Sequence, residues 1–169
     1  MLITGTEDND DIKLYDAVAG LDLECSDAVV EAGAGIDTIG GSRDTTNFDF
    51  LYGGSGVDVI HGNAGIDLIS GEGGDDLLFG EAGADTILGG DGDDKIKGGD
   101  GNDTVEAGNH ADQVCGEGDN DTLYGESQDD YIYGGGGTDT VDGGPHSIED
   151  YCSGETETQC EAVATSCPW

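Results

Sequence analysis

The 169-residue sequence predicts an all-β protein built from stacked coils of 18 residues. Three observations support this prediction: a repeat of nine residues, a high glycine content (33 Gly), and one aliphatic residue at a fixed position of each repeat. Glycine permits tight turns, and side chains that alternate out, in and out are typical of a short strand. Each repeat is therefore expected to form a six-residue turn and a three-residue strand, and two repeats complete one coil.

The repeat runs without a gap through ten units over 53–142, beginning with GGSGVDVIH. Position one is Gly in every unit except the one that starts at Ala107, position six is always Asp, and position eight is always aliphatic. Less regular units at 5–13, 32–40 and 41–52 continue the pattern, the last after a three-residue insertion. We expect an N-terminal cap with the first irregular coils at 1–31, the repeat region at 32–151, and a C-terminal cap at 152–169.

The position-six aspartates are expected to form two columns, because equivalent units recur every 18 residues. Neighbouring strands lie about 4.8 Å apart, so the carboxylates of one column repel each other at neutral pH. A hard cation between coils relieves this repulsion, and Ca²⁺ accepts six to eight oxygens in flexible geometry, whereas Mg²⁺ demands a tight octahedron. No His or Cys cluster has the spacing of a zinc site. With two aspartates of the irregular units, the predicted metal ligands are Asp37, Asp49, Asp58, Asp67, Asp76, Asp85, Asp94, Asp103, Asp112, Asp121, Asp130 and Asp139.

This pattern resembles the nonapeptide of the repeats-in-toxin (RTX) family, G-G-x-G-x-D-x-U-x, in which U is aliphatic. The resemblance is strong over 53–142 and implies a right-handed parallel β-roll with calcium ions in the turns. It also implies that each ion takes Asp side chains from neighbouring coils and backbone carbonyls from the glycine-rich positions, with roughly eight to ten ions in all. The carbonyls assigned to these sites belong to Gly53, Gly62, Gly71, Gly80, Gly89, Gly98, Gly116, Gly125 and Gly134.

Position four departs from the pattern in the units at 107–130, where it is His110, Asp119 and Gln128 instead of Gly. If this position needs a positive φ, Gln128 is the most strained of the three and Asp119 the least. We expect the metal sites of these units to be the weakest.

Five cysteines suggest an oxidising compartment. The segment DYCSGETETQCE is similar to the last coil of some secreted RTX-like proteins, and that resemblance implies a disulfide between Cys152 and Cys160 in the C-terminal cap. Cys115 occupies an outward position, so it is either an exposed thiol or a partner for Cys167. Cys25 and Cys115 should lie beyond the roughly 7 Å Cα separation that a disulfide permits.

The formal net charge of −35 excludes binding to nucleic acids or anionic membranes by electrostatics. No stretch approaches the roughly 18 apolar residues of a membrane-spanning helix, so membrane insertion is not expected. Neither a Gly-x-Ser-x-Gly elbow nor an HExxH motif accompanies His61, His110 and His146, so these are expected to be solvent-exposed and the protein is not expected to be an enzyme.

The sequence therefore predicts a secreted, extracellular and monomeric module that folds when it binds several Ca²⁺ ions, because one inward aliphatic residue per repeat is a small core. A first alternative is a binding module for a glycan, a protein partner or ice. Its flat faces would carry either a threonine row that includes Thr86 and Thr104 or an aromatic patch that includes Phe79 and Tyr133. A second alternative is the non-catalytic repeat region of a larger secreted enzyme or toxin.

Overall fold

The computed structural model describes residues 2–13, 27–145, 151–153, 156–158, 162–163, 167 and 169. Within these residues every regular element is a β-strand, and the strands form two nine-stranded parallel sheets. The chain alternates between the two sheets, so each strand pairs with the strand two places along the sequence. The predicted solenoid of stacked 18-residue coils is confirmed, since Ile96 pairs with Leu78 on one side and with Val114 on the other.

The first sheet contains, in spatial order, β1 (Leu2–Thr4), β3 (Val29–Gly35), β5 (Phe50–Gly56), β7 (Leu68–Gly73), β9 (Thr86–Asp91), β11 (Thr104–Asn109), β13 (Thr122–Ser127), β15 (Thr140–Asp142) and β17 (Thr156–Thr158). The second sheet contains β2 (Asp11–Lys13), β4 (Thr38–Gly40), β6 (Val59–Ala64), β8 (Leu77–Ala82), β10 (Lys95–Asp100), β12 (Gln113–Gly118), β14 (Tyr131–Gly136), β16 (Tyr151–Ser153) and β18 (Ala162–Val163). Both sheets extend into the segments assigned above to the two caps. No helix in the described ranges has the length and apolar character needed to cross a membrane.

The aliphatic side chains of position eight fill the space between the two sheets. All are fully buried: Ile39, Leu51, Ile60, Ile69, Leu78, Ile87, Ile96, Val105, Val114, Leu123, Ile132 and Val141. They form one continuous core, against which Ile3 and Ile12 of the first coil also pack. The core is one side chain wide in each strand, so the turns that connect the sheets lie along its two edges.

The strands of the regular repeats are longer than the sequence predicts. From β6 to β14 each strand has six residues, so the expected division into a six-residue turn and a three-residue strand is wrong. Positions two and three of each repeat also pair in parallel with the next coil, as Gly99 does with Glu117. This pairing uses the main chain alone, and it skips position one, where the strand bends around the edge.

Candidate metal centre

The position-six aspartates turn their side chains inward at the edges of the solenoid. All twelve predicted metal ligands, Asp37 through Asp139, are buried, and none is more than 2% exposed. Each precedes the first residue of a strand. From Asp37 to Asp121 the main-chain carbonyl also accepts the N–H of the strand one coil later, as Asp76 accepts from Lys95 at 2.9 Å. The backbone ladder therefore places the carboxylates of successive coils directly above one another.

One oxygen of each carboxylate, Oδ1, joins neighbouring coils. The N–H of Asp76 donates to Oδ1 of Asp94 at 2.8 Å, and the N–H of Asp94 donates to Oδ1 of Asp112 at 2.8 Å. The same bond recurs along both columns from Asp37 to Asp139, at 2.8–3.1 Å. These bonds hold the carboxylates in one orientation and keep adjacent coils in register.

The other oxygen, Oδ2, is buried and has no hydrogen-bond partner among the described residues in most of these aspartates. These are Asp37, Asp58, Asp67, Asp76, Asp85, Asp94, Asp103, Asp112 and Asp121. A buried polar atom is almost always hydrogen-bonded, and a buried charge is paired or coordinates a metal. Each of these oxygens therefore requires either a proton or a cation.

Where position one of the repeat is Gly, this oxygen faces a small space beside that glycine. A Cβ atom on Gly53 would lie 2.5 Å from Oδ2 of Asp58 and 3.0 Å from the carbonyl oxygen of Gly71 in the next coil. A Cβ atom on Gly80 would lie 2.6 Å from Oδ2 of Asp85 and 2.5 Å from the carbonyl oxygen of Gly98. The absence of a side chain at position one thus leaves a cradle lined by a carboxylate oxygen and a carbonyl oxygen.

The structure places most of the predicted carbonyls in such cradles. These are the carbonyls of Gly62, Gly71, Gly80, Gly89, Gly98, Gly116 and Gly134. It adds the carbonyls of Ala107 and Gly143, which the sequence did not predict, because the first is not Gly and the second follows the last regular unit. The predicted carbonyls of Gly53 and Gly125 are the exceptions. They lie one coil after Ala32 and Ala107, and the methyl group of each alanine takes the space that is open where position one is Gly.

The donor set of these cradles fits Ca²⁺. Its members are carboxylate and carbonyl oxygens, which are the ligands that this ion prefers. No group of three or more His, Cys, Asp or Glu side chains in the described part of the chain converges on one point, so the carbonyls have to supply the remaining ligands. The glycine-rich turns provide them without a side chain in the way.

Removal from water raises the pKa of the column carboxyls, and repulsion from neighbouring carboxylates raises several of them further. The hydrogen bond from the preceding Asp N–H opposes this effect. The pKa is about 6 for Asp85 and Asp94, about 7 for Asp67 and Asp76, and about 9 for Asp112. Without a cation, Asp112 holds a proton at neutral pH, whereas Asp85 and Asp94 are mostly ionised there.

Position four has a left-handed backbone, as the sequence predicts. Its glycines from Gly56 to Gly101 have φ between 125° and 143°, and His110, Asp119 and Gln128 also have positive φ. The carbonyl of one coil points at the Cα atom of the next, so the oxygen of Gly56 occupies the place where a Cβ atom of Gly74 would be. This contact explains why position four is so often Gly.

Position two is also left-handed, which the sequence analysis missed. Glu72, Glu81, Glu117 and Glu126 have φ of 71–77° there, and Asn63 has φ of 71°. The available signal was that position two is Gly in about half of the units and Glu or Asn in the others. It did not indicate a left-handed backbone, because Glu rarely adopts one.

Asp49, in the irregular unit at 41–52, differs from the regular ligands. Its Oδ2 accepts a hydrogen bond from the N–H of Ser42 at 2.7 Å, so this oxygen is already satisfied by the main chain. The irregular unit at 5–13 makes the same bond, from the N–H of Thr6 to Oδ2 of Asp10. Asp49 therefore lacks the partnerless oxygen that marks the other cradles.

The cysteines and histidines are placed as follows. Cys115 forms a disulfide with Cys167, with a Cα–Cα distance of 5.7 Å, which settles the two alternatives left open above. Cys25, Cys160, His146 and the side chain of Cys152 lie outside the described residues, and with them the expected bond between Cys152 and Cys160.

Of the two described histidines, His110 is exposed, as predicted, whereas His61 is half-buried on the outer face of the second sheet.

Comparison with known families gives one match. The model of the RTX calcium-binding nonapeptide repeat, which contains four copies of the motif, matches residues 52–87, 88–123 and 116–145. These segments contain all ten regular repeat units and their position-six aspartates. The chain has no match among curated proteins.

Proposed function

The chain belongs to the RTX calcium-binding nonapeptide-repeat family, and from this premise we propose that, above neutral pH, its solenoid folds only when calcium ions neutralise the aspartate columns. Membership in the family makes the chain a calcium-binding repeat module. The observation that supports coupled folding is the row of buried Oδ2 atoms that have no hydrogen-bond partner in the described part of the chain. A folded chain that left these carboxylates ionised and unpaired would lose stability at every coil.

Each position of the repeat has its own role in the proposed calcium site. Oδ1 of each aspartate binds the preceding coil, while Oδ2 and the carbonyl of the next position one would hold the ion. Bound calcium would supply the positive charge that these oxygens lack. The glycine at position one keeps the cradle open, and the aliphatic residue at position eight excludes water from the adjoining core.

We further propose that the module is extracellular, monomeric and structural rather than catalytic. Extracellular calcium and the Cys115–Cys167 disulfide both suit an oxidising environment outside the cell. The column carboxylates face protein oxygens and are closed off from solvent, which leaves them unsuited to bind a substrate. The alternatives of a glycan-, protein- or ice-binding face, or of a repeat region within a larger enzyme, remain predictions.

Far-UV circular dichroism during a calcium titration at pH 7.5 tests the coupling. We expect a coil spectrum in chelator, a β spectrum at saturating calcium, and no equivalent transition with magnesium, which fits such flexible oxygen sites poorly. A β spectrum that persists in chelator would contradict the proposal, because the core and disulfide would then hold the fold alone.

A matched pair of variants tests the site itself. Asp94→Asn removes a buried carboxylate from one column, whereas Asp100→Asn removes the same charge from an exposed position of the same coil. We expect Asp94→Asn to raise the calcium concentration at the folding midpoint and to lower the number of bound ions measured by calorimetry. Equal midpoints for the two variants would show that total charge, not the column, governs calcium binding.

A further inference from the structure

The outer face of the second sheet carries a row of position-nine side chains that the calcium sites do not use. His61, Phe79, Lys97 and Cys115 are paired neighbours on the adjacent strands β6, β8, β10 and β12. The rings of His61 and Phe79 are stacked, with their centroids 4.7 Å apart and 12° between their planes. We call these four residues the outer row.

Trp169 lies on this row. Its ring is 6.0 Å from that of Phe79 in an edge-to-face arrangement, and the ammonium group of Lys97 lies 4.7 Å from its centroid. Lys95, on the same strand, is 6.0 Å away. Two of the four Lys and Arg residues of the chain thus lie beside one indole, an arrangement that cation–π attraction favours.

The disulfide fixes the indole at this place. Cys167 is bonded to Cys115 at one end of the row, and Trp169 lies over Lys97 and Phe79, the next two members. Cys115 is fully buried although its strand position points away from the core. Cys167 and Trp169 therefore cover a face that the solenoid would otherwise expose.

We propose that the segment carrying Cys167 and Trp169 is a redox-released strap that covers the outer row. Reduction by a small dithiol transfers two electrons and two protons to the disulfide. The S–S bond breaks, Cys115 and Cys167 become thiols, and the dithiol becomes a disulfide. The ring contacts of Trp169 alone are weak compared with a covalent bond. The indole then leaves, and the face formed by His61, Phe79 and Lys97 opens.

Tryptophan fluorescence measures this release directly, because Trp169 is the sole tryptophan of the chain. The full chain in saturating calcium is titrated with acrylamide, a neutral quencher, before and after treatment with dithiothreitol. We expect reduction to shift the emission maximum to longer wavelength and to raise the quenching constant, while the far-UV circular dichroism spectrum keeps its β character. Unchanged emission and quenching, or loss of the β spectrum on reduction, would overturn the proposal.

Three variants separate the bond from the ring contacts without reductant. Cys167→Ser should reproduce the spectrum of the reduced protein, whereas Cys25→Ser, which removes a cysteine outside this disulfide, should not. Phe79→Ala should change the emission with the disulfide intact, because the indole loses its edge-to-face partner. A Phe79→Ala spectrum identical to the original would place Trp169 elsewhere and refute the strap. The measurements are made at saturating calcium, so their outcome is independent of whether calcium drives folding.

Discussion

Two segments of the solenoid share the same core and the same aspartate columns but differ in their turns. In the regular segment, 53–106, position four is always Gly, with φ between 125° and 143°. In the substituted segment, 107–133, it is His110, Asp119 or Gln128, with φ between 71° and 84°. The difference shows that the stacked coils impose a positive φ at this position. A residue with a Cβ atom adopts a smaller positive φ than Gly, close to the left-handed helical region that such residues tolerate.

The contacts between turns weaken where the two segments meet. In the regular segment, the N–H at position four donates to the position-three carbonyl of the next coil, at 3.0 Å from Gly65, 2.7 Å from Gly74 and 2.8 Å from Gly83. The bond lengthens to 3.3 Å from Gly92 to Asn109, where the accepting turn contains His110. The bond that joins the two segments is therefore the longest of the four.

The two segments also differ in the cradle at position one. Ala107 puts a methyl group where Gly89 and Gly98 have none, and the carboxyl of that unit, Asp112, has a pKa of about 9, compared with about 6 for Asp94. Removal from water is the main cause in both cases. A tighter, drier cradle favours a proton over an ionised carboxylate, so we expect Asp112 to be the poorest calcium ligand of its column.

The largest predicted effect is that of pH on the calcium-free protein. The column carboxyls have higher pKa values in the folded chain, about 6 to 9, than in the unfolded chain, near 4. Their stabilising contribution is therefore complete at low pH and is lost as pH rises through 6 to 9. We expect a β spectrum in chelator at pH 5 that disappears by pH 8.5, with calcium restoring it at pH 8.5. A β signal that grows with pH in chelator would reverse the sign and contradict the assignment.

The second prediction concerns glycine in the regular segment. In Gly74→Ala the methyl group would meet the carbonyl oxygen of Gly56, and φ is 125°. Strain of the backbone alone costs about 1–3 kcal/mol. Gly73→Ala is the matched control, since a Cβ atom there would have no atom of the described residues within 4 Å. Urea unfolding in saturating calcium should show a large loss for Gly74→Ala and almost none for Gly73→Ala. Equal losses would mean that glycine matters for chain entropy and not for the close contact.

Much of this arrangement could be predicted from the sequence, because periodic residues on a solenoid stack by their numbering alone. The positions of Asp94, Asp112 and the core residue Ile96 follow from the period. Strand length did not follow, since positions two and three pair through the main chain, which is common to all residues. The sequence left the bond between Cys115 and Cys167 as one of two alternatives, because Cys167 lies outside the repeats and 52 residues from Cys115, and no periodic pattern connects the two. The contacts of Trp169 with the outer row were not predicted for the same reason.

The third prediction restores a regular cradle in the substituted segment. Ala107→Gly removes the methyl group beside Asp112 and should make this unit resemble those of Asp94 and Asp103. We expect a lower calcium concentration at the folding midpoint and up to one additional ion by calorimetry. Gly89→Ala makes the reciprocal change against Oδ2 of Asp94, 2.6 Å from the new Cβ atom, and should raise the midpoint. If both variants moved the midpoint in the same direction, the cradle would not determine affinity.

The smallest predicted effect comes from position four of the substituted segment. Gln128 has φ of 81°. A left-handed backbone costs a residue with a Cβ atom about 1–2 kcal/mol, which Gly avoids. The greater conformational entropy of Gly in the unfolded chain cancels part of this gain in stability. Gln128→Gly should therefore stabilise the calcium-bound protein by about 1 kcal/mol or less, whereas Gln113→Gly, in strand β12, should destabilise it by about 0.5–1 kcal/mol. Asp119→Gly should gain less than Gln128→Gly, because Asp tolerates this conformation better. Urea unfolding in saturating calcium distinguishes the three. If Gln128→Gly lost as much stability as Gln113→Gly, the turns of 107–133 would be unstrained, and only Ala107 would still support the expectation that their metal sites are the weakest.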